Sequence, residues 1–152
     1  MPKVAIVMGS PSDADVMNSC HQFLDFFGLD YEMFTLSAHR TPEQTAEFAK
    51  TAEEKGFSII IAGAGMAAHL PGVIASYTTL PVIGVPLSGS ALNGQDALYA
   101  IVQMPRGVPV ATMAIGKAGA GNAAIYAAKL LALSHADVKE KLIEFQKKGC
   151  KL

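Results

Sequence analysis

The chain has 152 residues, 51% of them hydrophobic and only 16% charged, with a formal net charge of -1 and a mean hydropathy of +0.31. That length fits a single domain over residues 1–152, and so apolar a composition excludes disorder and points to a homo-oligomer that covers part of its surface. Arg40 and Arg106 are the only arginines, so no basic face is available to a nucleic acid, and Cys20 and Cys150 form neither a zinc cluster nor a C-x-x-C pair.

The N-terminal MPKVAIVMGS enters an apolar run without the basic segment and cleavage site of a signal peptide, and no stretch reaches 18 uninterrupted apolar residues. A soluble, cytoplasmic protein with reduced thiols and no membrane contact is expected. Short β-rich runs follow at Val4 to Met8, Tyr31 to Leu36, Ser58 to Ala62, Val82 to Val85 and Val108 to Ile115. Between and after them, helical periodicity marks Ala14 to Phe27, Pro42 to Lys55, Ala67 to Ser76, Gly94 to Gln103 and Asn122 to Leu133. The second helix carries a capping-box pattern in Thr41, Pro42 and Gln44. Five β-α units with continuous apolar strands predict an α/β fold, a parallel sheet inside a three-layer α/β/α sandwich. An extra C-terminal helix near Asp137 to Lys147 is not needed to close the sandwich and is free to pack on a neighbouring subunit.

In an open parallel sheet, ligands bind beyond the carboxyl ends of the strands, and the unusual residues all follow strands. After the first, Ser10, Ser12 and Asp13 supply hydroxyls, a carboxylate and a helix start suited to a phosphate ester, although a plain helix cap explains them equally well. After the second, Ser37 leads into His39 and Arg40, an acid/base candidate beside a bidentate anion binder. After the third, Gly63-x-Gly65-x-x-Ala68 matches a loose dinucleotide fingerprint but is in the wrong βα turn and lacks an acidic residue about 20 positions on. Its glycines allow backbone to approach a small ligand, and His69 is either a polar group of that pocket or a structural histidine. Gly116-Lys117 fails as a phosphate-binding Walker loop because Ala111 and Ala118 stand at two of its defining positions. His21 and His135 fall in or beside helices and read as packed or solvent-facing.

VAIVMGSPSD, SAHRTP, AGAGMAAHLPG, PVIGVP, VQMPRGVPV and AIGKAGAGNAA, in this order from Val4 to about Ala132, resemble the N5-carboxyaminoimidazole ribonucleotide mutase family of purine biosynthesis. The resemblance implies a flavodoxin-like fold, a homo-octamer with sites between subunits, and no metal or organic cofactor. By the same resemblance His39 is the acid/base for carboxylate transfer to ring carbon 4. Ser10, Ser12, Ser37 and Arg40 hold the nucleotide phosphate, Asp13 the ribose hydroxyls, and Ala64, Gly65 and His69 line the base and carboxylate pocket. Met66 stands where the family usually has a glycine, which brings a larger side chain close to that pocket. The competing readings are a direct carboxylase using carbon dioxide, whose second and third motifs differ from those here, and a flavodoxin-like binding module without chemistry.

Overall fold

In the computed structural model, which describes Met1–Leu152, five parallel strands form one sheet. They are β1 (Lys3–Met8), β2 (Asp30–Thr35), β3 (Phe57–Gly65), β4 (Val82–Leu87) and β5 (Ala111–Thr112), in the order β2-β1-β3-β4-β5. The helices are α1 (Ala14–Met17), α2 (His21–Phe27), α3 (Pro42–Thr51), α4 (Leu70–Tyr77), α5 (Gln95–Val102), α6 (Lys117–Leu131) and α7 (Ala136–Lys147). Alternation along the strands divides the interior into two cores. Val4, Ile6 and Met8 pack with Met17, Leu24 and the alanine face of α6, while Ala5 and Val7 pack with Phe48, Ile74 and Ile101 of α3, α4 and α5. Each large aliphatic side chain buried this way contributes about 1.5–3 kcal/mol relative to exposure, which makes the central strands the anchor of the loops that follow them. The three-layer sandwich expected from the sequence is thus the fold observed.

Four departures from the sequence reading have physical causes. The first helix is not continuous: a 3-10 turn at Pro11–Asp13 precedes it and another at Asn18–Cys20 breaks it, and the Cys20 thiol donates to the Ala120 carbonyl of α6 at 3.2 Å. The fifth strand shrinks to Ala111–Thr112 at the sheet edge; Pro109, within the expected run, has no N–H to give a ladder and suits only such an edge. Conversely, α6 begins five residues before Asn122 and includes Gly119 and Gly121. A Cβ on Gly121 would stand 2.8 Å from the Phe23 ring, and one on Gly119 would collide with the Ala114 carbonyl oxygen. Finally, α7 packs on its own chain rather than only outward: Val138, Leu142 and Phe145 are buried, and Phe145 meets the Phe27 ring edge-on at 5.5 Å.

The strand order also fixes where a ligand can enter. After β1 the chain moves to the face that holds α1, α2, α6 and α7, and after β3 to the face that holds α3, α4 and α5. Since β1 and β3 are neighbours, their carboxyl ends diverge and open a crevice at the switch point.

Candidate active site

Strand register brings the first three loops to one level. Met8 pairs with Thr35 on one side and Gly63 on the other, and the Leu36 N–H donates to the Met8 carbonyl at 2.9 Å, tying the second loop to the first. The fourth and fifth loops are joined in the same way, through Gly116 N–H to the Pro86 carbonyl at 2.9 Å. The expected convergence at one sheet edge therefore follows from the ladder itself.

In the first loop Ser10 caps the turn. Its hydroxyl accepts the Ser12 N–H at 3.4 Å and lies 2.9 Å from the Ser12 hydroxyl, while its own N–H donates to Asp13 Oδ2 at 3.1 Å. Burial pushes the Asp13 carboxyl above its ordinary value, and the bond from Ser10 only partly offsets this. Asp13 Oδ1 has no protein donor, which leaves it open to a hydroxyl.

The second loop is built around Ser37. Thr41 does not cap α3 with its side chain as the capping-box pattern suggested; instead its hydroxyl accepts the Ser37 N–H at 2.9 Å and donates back to the Ser37 carbonyl at 3.1 Å. Thr45, fully buried, donates to the same carbonyl at 3.1 Å, and the Ser37 hydroxyl accepts the Arg40 N–H at 3.0 Å. The spacing Ser37, Thr41, Thr45 was the available signal for this support, and reading for chemistry alone passes over it. The result is a rigid turn from which His39 and Arg40 project, both exposed, with the Arg40 guanidinium in no ion pair.

The third loop is shorter than its glycine motif suggested. Ala64 and Gly65 belong to β3, opposite Pro86 and Leu87, and α4 starts at Leu70 rather than Ala67. Between them the chain turns tightly, with Ala68 N–H to Met66 O at 2.9 Å and His69 N–H to Ala67 O at 2.8 Å. These turns carry His69 to His39. The Nε2 of His39 lies 2.7 Å from the Nδ1 of His69, with the rings edge to face at 84°. That spacing accommodates one proton between the two nitrogens, so the imidazoles form a donor-acceptor pair. His39 Nδ1 and His69 Nε2 have no protein partner and remain available to a ligand.

The other histidines are occupied elsewhere. His21 stacks on Tyr31 at 4.7 Å, and His135 Nδ1 lies 3.0 Å from the Leu131 carbonyl at the end of α6. No three His, Cys, Asp or Glu side chains converge as metal ligands, and no helix is long and apolar enough to cross a membrane. A hollow between α6 and α7, lined by Lys129, Leu133, Lys139 and Ile143 among others, contains no imidazole, thiol or carboxylate.

Comparison with known proteins places the chain in a family. The family model described as AIR carboxylase matches residues 3–151. The chain is 56% identical over 146 residues to the N5-carboxyaminoimidazole ribonucleotide mutase of Pyrococcus abyssi, covering 96% of this chain and 83% of that protein. It is 54% identical over 148 residues to the mutase of the same name from Thermotoga maritima, covering 97% and 85%. In structure it is similar to Treponema denticola PurE, with a TM-score of 0.89 at 26% identity over 99% of this chain and 92% of that one.

Proposed function

The chain belongs to the AIR carboxylase family and is an enzyme of its mutase branch in purine biosynthesis, and we propose that His39, in contact with His69, carries out its proton transfers. The reaction moves the carboxylate of N5-carboxyaminoimidazole ribonucleotide from the exocyclic nitrogen to ring carbon 4. The nitrogen–carboxyl bond breaks, its electron pair returns to the nitrogen, and that nitrogen takes up a proton. Carbon dioxide is then attacked by the electron-rich ring carbon 4, and the proton on that carbon leaves as the new bond forms. One proton is given and one taken, so an imidazole that can do both suffices. His39, with Nδ1 free and Nε2 against His69, is the group for this task; the 2.7 Å contact between the rings is the observation that supports the reading.

The other roles follow the chemistry of each side chain. Arg40, unpaired and beside the Ser37 turn, would take the phosphate together with Ser10, Ser12 and Ser37. Asp13 would accept from ribose hydroxyls, and Ala64, Gly65 and His69 would wall the base and the migrating carboxylate. Small walls let backbone come close to the substrate and exclude water while the gas is free. We place the enzyme in the cytoplasm as a homo-octamer of single-domain subunits, with exposed Tyr99, Val102 and Leu133 as surface for neighbours.

A paired turnover assay tests this assignment. One reaction contains N5-carboxyaminoimidazole ribonucleotide and the other aminoimidazole ribonucleotide with bicarbonate, without ATP, at matched low carbon dioxide. Faster formation of the carbon-4 acid from the first is expected. Faster formation from the second would make the protein a direct carboxylase, and no product from either would leave a nucleotide-binding module.

A further inference from the structure

We propose that Thr45 is a positioning residue for the reaction, its hydroxyl fixing the turn that carries His39; the inference rests on the proton-transfer role given to His39 above. Among side chains with a nitrogen or oxygen atom, Thr45 alone is buried. It lies on the face of α3 that also buries Phe48 and Ala49, a position that a valine of the same shape would fill. What the hydroxyl adds is a proton between two carbonyl oxygens, that of Thr41 at 2.9 Å and that of Ser37 at 3.1 Å.

Neither carbonyl depends on it. The Thr41 carbonyl already accepts the Thr45 N–H at 3.0 Å, and the Ser37 carbonyl accepts the Thr41 N–H at 2.9 Å. The hydroxyl therefore rescues no unsatisfied group, and its removal leaves the fold with little to lose. Its effect is on geometry. The other side-chain bonds of the turn run only among Ser37, Arg40 and Thr41, which makes the turn rigid but does not fix its angle to α3. Thr45, one turn into the helix, ties Ser37 to the body of α3. His39 projects from this turn, and its Nε2 meets His69 Nδ1 at 2.7 Å across the gap to the third loop. A shift of about 1 Å breaks such a bond, and misplacement of that size at a reacting group costs on the order of a hundredfold in rate. Arg40 reaches out on a long side chain that absorbs the same shift, so the loss belongs to kcat rather than to KM.

Turnover of N5-carboxyaminoimidazole ribonucleotide is measured for Thr45→Val and Thr45→Ser, each alone and combined with His39→Asn, beside thermal unfolding of every protein. Thr45→Val is expected to lower kcat by about tenfold to a hundredfold, with KM within a few-fold and the unfolding midpoint close to that of the wild type. Thr45→Ser, which returns the hydroxyl, should recover most of kcat. In the His39→Asn background Thr45→Val should cost nothing further, because the group it positions is gone. Wild-type kcat in Thr45→Val, or the same fold loss in both backgrounds, would overturn the positioning role alone. Wild-type turnover by His39→Asn would overturn the role of His39 and this inference with it.

Discussion

Burial and a backbone donor pull on the Asp13 carboxyl in opposite directions, and burial wins, so its pKa lies above the 3.8 of an unperturbed aspartate. The folded protein therefore holds that proton more tightly than the unfolded chain does, and a ribose hydroxyl can donate only after it has left. Nucleotide affinity is expected to rise as pH passes upward through the Asp13 pKa and to level off toward neutrality. Calorimetric titration with substrate between about pH 4 and pH 7 checks this against the ordinary range of carboxylates. In Asp13→Asn the affinity should be weak throughout and this acid limb should vanish; a limb that persists would assign it to another group. The sequence marked Ser10, Asp13, His39 and His69 singly, because each is an unusual side chain after a strand. That His39 touches His69 was not legible, since their contact spans thirty positions and depends on the register of β1 with β3 and on two tight turns after Met66.

At the scale of elements, apolar runs identified β1, β3 and β4 to within a few residues, because strands covered on both faces need side chains that are apolar on both, while the partly exposed edge strand β2 was marked by its β-rich residues. Two of the misses, the start of α6 and the break in the first helix, share a cause: packing between elements distant in the chain overrode local preference. Glycines that look like a loop before Asn122 are helical because α6 approaches Ala114 and Phe23 too closely for larger residues. The break between α1 and α2 sits where Cys20 meets α6, a contact one hundred residues away. Gly119→Ala, whose Cβ would collide with the Ala114 carbonyl, is expected to destabilise the fold by about 2 kcal/mol or more, as overpacking against backbone does. Gly9→Ala, with nothing within 4 Å of its added methyl, should stay close to wild-type stability. Urea unfolding of both proteins measures the difference, and equal midpoints would show that α6 yields to the extra carbon.

For the whole molecule, the two cores bury the sheet but leave apolar residues outside them. Tyr99 and Val102, three apart on α5, are 60% and 47% exposed, and Leu133 after α6 is 87% exposed. Residues three apart share a helix face, so α5 presents an apolar stripe rather than scattered atoms. Sedimentation is expected to find an octamer for the wild type and smaller species for Val102→Asp, which places a charge in that stripe. A wild-type monomer would contradict the assembly.

In the proposed mechanism His39 moves the proton while the loops around it only bind and enclose the substrate. The most direct measurement is turnover of N5-carboxyaminoimidazole ribonucleotide by His39→Asn at saturating substrate, with substrate affinity measured on the same preparation. Asparagine keeps a polar side chain but cannot titrate, so kcat is expected to fall by about a hundredfold to ten-thousandfold while binding stays within a few-fold. Turnover near that of the wild type, with binding intact, would contradict the account and move the proton transfer to another group.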